Sequence, residues 1–200
     1  MGASADGLAG GAATADAGLG ALAPESLMVR YVEGDPAAFD ALYACTAPRL
    51  FGYLLRLTRD RARAEDLLQV TFSKIHRARA SYLRGAPVLP WMLAIARRSF
   101  LDERRAAKVR TEHLSDDGSL PEPRAEPEAV GADLSEALDR ALLDLPVSYR
   151  EAIELTKING LSVAEAAEVL GTTGTAVKLR VFRGYEILRK QLARFRRFSE

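Results

Sequence analysis

Cysteine is nearly absent: Cys45 is the only one in 200 residues. No disulfide can form within the chain, which fits a reducing compartment. The thiol itself is expected to act as a small buried apolar residue. Histidine is scarce too. His76 and His113 lie far apart, and no metal-ligand spacing, Ser/His/Asp order or phosphate-binding glycine loop accompanies them. Neither an enzyme nor a metal or cofactor protein is expected, and the Glu65–Asp66 pair reads as capping or solvation. No base precedes Arg30, so the N-terminus lacks the charged start of a secretory peptide. No apolar run approaches the roughly 20 residues that a membrane helix needs. A cytoplasmic chain without direct membrane insertion is the expectation. The net charge of +1 argues neither for nor against nucleic acid, because a tethered protein can segregate its charges. Strand alternation and internal repeats are also missing.

What is present is helical periodicity in two blocks. Residues 1–23 are mostly Ala, Gly, Ser, Thr and Asp and read as a disordered tail. Leu27, Val29 and Tyr31 begin a short helix that Gly34 stops. Asp35-Pro36 is an N-cap and first-turn proline. It opens a helix to about Arg59, striped by Phe39, Leu42, Tyr43, Leu50, Tyr53, Leu54 and Leu57. A third helix covers about Arg61–Ser81 through Leu67, Leu68, Phe72, Ile75 and Ala78. Gly85 and Pro87 interrupt residues 82–89, and a fourth helix runs from Pro90-Trp91 to about Arg110.

Composition then shifts. Nine acids against the single base Arg124 fall between Glu112 and Asp139, with Pro121, Pro123 and Pro127 among them. This reads as an acidic extended linker. Beyond it, Leu138, Leu142 and Leu145 mark a helix closed by Pro146. Val147–Asn159 forms another, with Gly160 at its C-terminal end. Ser162-Val163-Ala164-Glu165 is a capping box that opens a short helix to Leu170. After the turn Gly171-Thr172-Thr173, a long helix starts near Gly174. The fold class is all-α: a four-helix domain over 24–110, a linker over 111–133, and a smaller helical domain over 134–200.

The last two helices have the form of a helix-turn-helix, whose second helix enters a major groove. At about 100° per residue, with Val177 at 0°, Val181 falls near about 40°, Gly184 near about −20° and Leu188 near about 20°. These make an apolar stripe, and Gly184 permits close approach. Lys178, Leu179, Phe182 and Arg183 take the opposite face, where bases suit phosphates or guanine edges and apolar groups suit thymine methyls. From Lys178 to Arg197 there are eight bases and one acid, Glu186. The competing reading is an ordinary solvated helix.

In the first block, Asp66, Gln69 and Ser73 share one helix face, which either docks a protein or is merely solvated. The fourth helix carries Arg97, Arg98, Arg104, Arg105, Lys108 and Arg110, with Trp91 at its start. Such a helix after a Pro/Gly loop suits a phosphate backbone and unstacked bases. Core packing of Trp91 and a solvated basic face are the alternatives.

In order, these segments resemble the extracytoplasmic-function (ECF) sigma factors of the sigma-70 family. Asp66-Leu67-Leu68-Gln69-Val70-Thr71-Phe72 is similar to the family's Asp-Leu-Val-Gln-Glu-Thr-Phe. Pro90–Arg98, ending in Asp102-Glu103-Arg104-Arg105, is similar to its Trp-Leu-x-x-Ile-Ala-Arg-Asn helix. Leu145-Pro146, Tyr149-Arg150-Glu151, Gly160-Leu161-Ser162 and Gly171 through Arg183 are similar to its promoter-reading C-terminal domain. The resemblance implies a transcription initiation factor without catalysis of its own. It implies core RNA polymerase (its β and β′ subunits) as a partner, docked through Asp66, Gln69 and Phe72. It implies melting of the −10 element by Trp91, Arg97, Arg98, Asp102, Arg104 and Arg105, with an unstacked base received by the 82–89 loop. It implies reading of the −35 element by Thr173, Lys178, Leu179, Arg180, Phe182 and Arg183. The linker is then expected in the polymerase's active-site and RNA-exit channels. An anti-sigma factor, membrane-borne in the subgroup that Leu-Arg-Gly-Ala-Pro-Val-Leu-Pro-Trp is similar to, is the implied control. Arg98 departs from the family's usual Asn, and Leu179 from a frequent small polar residue. The alternative function is a conventional helix-turn-helix operator-binding regulator, which needs a dimerisation surface or effector pocket that no segment marks.

Overall fold

The computed structural model describes residues 18–114 and 134–198, and among these every regular element is helical. The chain forms α1 Pro24–Val32, α2 Pro36–Thr58, α3 Arg61–Ala78 and a 3-10 turn Arg79–Ser81. After a loop come α4 Val88–Leu114, α5 Leu134–Asp144, α6 Val147–Ile153, α7 Val163–Leu170 and α8 Gly174–Phe198. A π turn, Glu154–Ile158, prolongs α6.

Helix starts follow local chemistry. Asp35 Oδ1 accepts from the Ala37 and Ala38 amides at 3.0 and 3.3 Å, with Pro36 in the first turn. Asp60 accepts from the Arg63 amide at 3.1 Å and so starts α3. Both satisfy amides that a helix start leaves without partners. The capping box closes as expected: Glu165 N donates to Ser162 Oγ at 3.2 Å, and Ser162 N donates to Glu165 Oε2 at 2.8 Å. Gly171 ends α7 at φ +61, a left-handed position that glycine adopts without steric cost.

Helices α1–α4 pack around Leu27, Met28, Leu42, Leu50, Leu54, Ile75, Met92 and Leu93, all nearly or fully buried. Ala141, Leu142, Leu145, Ile153 and Leu188 form a smaller cluster where α5, α6 and α8 meet. The two modules also touch. Ala152, Leu155, Leu161, Ala166, Leu170 and Val177 belong to the same apolar cluster as the first module's core, and α7 lies against α4.

Four expectations change. Cys45 is exposed, not buried, with its thiol directed at the Leu42 carbonyl 3.3 Å away. The N-terminal tail is shorter than the composition suggests, because Leu19 is 2% exposed and joins the core; residues 1–17 lie outside the described part. Helix α4 begins two residues before Pro90 and extends to Leu114. Its start gains a cap from a distance, as Val88 N donates to Glu25 Oε1 at 3.1 Å. The helix expected over Val147–Asn159 changes register at its π turn. The acidic segment 115–133 lies outside the described residues.

Candidate nucleic-acid interface

The stripe of α8 packs inward. Val177 is fully buried, Leu188 nearly so, and Gly184 lies against α6. A Cβ at Gly184 would meet Ile153 Cδ1 at 2.6 Å, so the end of the Ile153 side chain would have to shift to admit it. Thr173 Oγ1 accepts from the Ala176 amide at 3.2 Å and starts the helix. On the far face Lys178 and Arg183 are exposed, Leu179 is 51% exposed and Phe182 61%. An exposed Leu and Phe set between two bases suit a groove floor. Tyr185, 40% exposed, extends this face by one turn and was not anticipated. Arg180 is half-buried, towards one flank.

In the first module, Gly85 takes φ +85 in the loop before α4. Tyr82 is buried, its hydroxyl donates to the Ala86 carbonyl, and its ring stands edge-on to Trp91 with centroids 5.5 Å apart. Burial pushes the Tyr82 phenol above its ordinary range. Leu83, 76% exposed, projects from the loop. Arg84 pairs with Glu33 at 2.9 Å. The loop is thus held at both ends while its tip stays open. Trp91 is half-buried, so packing and base contact are compatible.

The arginines of α4 differ from one another. Arg98 is exposed, with Nε donating to the Ala94 carbonyl at 3.2 Å. Arg104 lies over the Phe100 ring at 5.7 Å. Arg105 is near Asp102 at 3.8 Å, and Asp102 also accepts from Lys74 at 3.0 Å. Arg97 is turned to the second module. Its Nε donates to Glu151 Oε1 at 2.9 Å, and Tyr53 donates to the same oxygen at 3.3 Å. Beside it, Arg56 Nε stands 2.9 Å from Glu154 Oε1. Glu154 is fully buried and Glu151 5% exposed. Tyr53, Arg56, Glu151 and Glu154 were not among the expected site residues. They come together across about 100 residues of chain, and no local spacing signals that.

On α3, Asp66 and Gln69 are exposed as expected. Phe72 is not: it is 6% exposed, edge-on to Phe39 and 4.5 Å from the Tyr43 ring. It supports the face from within. Asp66 instead rims a cleft of about 340 Å³ between α3 and α4, with Leu67, Val70, Lys74, Ser99 and Asp102. Val70 is 45% exposed there. Arg63 braces the same pair of helices through two bonds to Glu103, at 3.1 and 3.2 Å, which hold its guanidinium above the ordinary range.

Residues 42–110 match the model of Sigma-70 region 2, and residues 135–188 match that of Sigma-70, region 4. The chain belongs to the sigma-70 family, in its extracytoplasmic-function branch. It is 36% identical over 165 residues to the RNA polymerase sigma factor CarQ of Myxococcus xanthus, covering 82% of this chain and 95% of that one. It is 35% identical to the ECF RNA polymerase sigma factor SigE of Mycolicibacterium smegmatis, covering 86% and 69%. The sigma factor RpoE, solved in complex with the anti-sigma factor NepR from Bartonella quintana, matches with a TM-score of 0.66 at 27% identity, covering 78% and 96%. In this ECF sigma factor the region 2 match runs from within α2 into α4, leaving α1 outside it, and the region 4 match runs from α5 into α8. Its relatives are transcription initiation factors of RNA polymerase. Among the described residues no helix is long and apolar enough to cross a membrane.

Proposed function

We propose that this sigma factor reads the −35 element with Lys178, Leu179, Arg180, Phe182 and Arg183 on α8, and with Thr173 at its start. The observation that carries this is the exposed Leu179–Phe182 pair between two bases, opposite a stripe buried on α6. The first module docks on core RNA polymerase, on its β and β′ subunits, through Asp66, Gln69 and the cleft beside them. The loop before α4 receives an unstacked −10 base next to Trp91. Unstacking costs a few kcal/mol, which phosphate contacts from Arg97, Arg98, Arg104 and Arg105 offset. The second module covers Arg97 in the free chain, so the −10 contact from Arg97 requires the modules to part. All catalysis stays in the polymerase, and the protein acts in the cytoplasm. Control by an anti-sigma factor is supported by the RpoE–NepR match.

Run-off transcription with purified core polymerase tests this reading. Promoter-specific transcripts are expected, and their absence together with failure to co-purify with core would sink it. Arg183→Ala should lower −35-dependent transcription by about 10-fold or more, since a good base contact contributes about 1–3 kcal/mol. Core binding should be unchanged, and its loss would overturn the division of roles between the modules.

A further inference from the structure

We propose that Glu25, on α1 and so outside the region 2 match, is a positioning residue for the −10 base pocket: by holding the Val88 amide it sets where α4 begins, and hence where Trp91 stands against the 82–89 loop. This deepens the reading above and rests on its assignment of that loop to an unstacked −10 base.

Helix α4 opens where the local sequence gives it little help. Ala86 and Pro87 precede Val88, and neither has a capping side chain. Pro90, in the first turn, has no amide to satisfy. Val88 is fully buried, so its amide is closed to water, and a buried donor without a partner is strongly unfavourable. Glu25 Oε1 accepts from that amide at 3.1 Å. A carboxylate at a helix start also meets the positive end of the helix dipole. Trp91 is the fourth residue of the helix so started. Without the bond, local chemistry starts the helix at Pro90, and Trp91 loses the turn that fixes it.

Glu25 is itself well anchored. It is the second residue of α1, and Leu27, Met28 and Tyr31 bury that helix in the core of the first module. Its charge also reaches the other end of the loop. After burial, it is the second cause that pushes the Tyr82 phenol up. The phenol keeps its proton and donates to the Ala86 carbonyl, while the Ala86 amide donates to the Leu83 carbonyl at 3.0 Å. One carboxylate thus stands beside Tyr82 and beside the start of the helix that carries Trp91, the two rings that meet edge-on. The Arg84–Glu33 pair is a weaker brace, since exposed ion pairs contribute little.

The test uses holoenzyme on a promoter that the wild type transcribes. The probes are fork-junction DNAs whose non-template −10 strand is intact, or abasic at one position at a time. Wild type should prefer the intact fork at the position whose base enters the pocket. Glu25→Ala is expected to weaken binding of the intact fork by about 10-fold, the size of one good base contact. Binding of the abasic fork and of core should be unchanged. Equal weakening of both forks means a merely structural role and overturns the proposal, as does an undiminished preference. Two further variants decide the matter even if Glu25→Ala does not fold. Glu25→Gln keeps the acceptor oxygen without the charge, and should keep the preference. Glu25→Asp keeps the charge but withdraws it by one methylene, and should lose the preference. Any other ranking of these two overturns the proposal. Wild-type holoenzyme that binds intact and abasic forks alike at every position refutes the base-pocket reading itself, before any variant is compared.

Discussion

The hydroxyl of Tyr53 is fully enclosed and donates to Glu151 across the two modules. Burial, and then the negative charge of Glu151, hold the phenol well above its ordinary value of 10.0. A raised folded-state value in an acid means that the folded chain keeps its proton after the unfolded chain has lost it. Stability from this group is complete below about pH 10, and is lost as pH rises through the folded-state value. Urea titrations above pH 10 should therefore show a steeper loss of stability in the wild type than in Tyr53→Phe; equal slopes would refute this. At neutral pH the substitution should cost only about 1 kcal/mol, since Glu151 keeps Arg97. Little of this is readable from the sequence. A Tyr in an apolar stripe reads as core, and Arg97 reads as one of several helix bases, because both partners lie far along the chain. Phe72 misleads for the opposite reason. It sits within a recognisable polar motif, but its own step along α3 points inward.

Elements were more legible wherever their cause is local. The capping box of α7, the Asp35-Pro36 start of α2 and the stripe of α8 all follow from residues within a turn or two. Gly184 is the clearest case, because its place on the Val177–Leu188 stripe already calls for close helix approach. Gly184→Ala would gain about 1 kcal/mol of helix propensity. It would also force Ile153 out of a packed cluster, at about 1–3 kcal/mol for overpacking. A net loss of about 1 kcal/mol in chemical denaturation is expected, and a stabilised variant would contradict the contact. The π turn after α6 was not readable, since one extra residue per turn leaves no mark on a short apolar pattern. Its position, starting at Glu154 in the interface, fits the tendency of π turns to occur at functional sites. The early start of α4 was missed because its cap, Glu25, is 63 residues away.

At the scale of the whole molecule, the two family regions are legible as separate blocks, but their contact is not. Composition marks the acidic break between them and says nothing of the apolar cluster that runs from Leu50 and Met92 to Leu155 and Val177. If that contact couples the modules, denaturation is one transition. Doubling the 115–133 stretch with Gly/Ser residues should then cost only about 0.6 kcal/mol, because closure entropy grows slowly with length. Two resolved transitions in the wild type would show that the modules melt independently. The burial of Glu151 on Arg97 also has a meaning in time. A ribosome delivers α1–α4 well before α6, and the intervening 40 or so residues take on the order of seconds at about 5–20 residues per second. During that interval the nascent first module carries Arg56, Tyr53 and Arg97 uncovered. Every newly made chain thus passes once through an uncapped youth, in which polymerase or DNA can reach it before its own second half does.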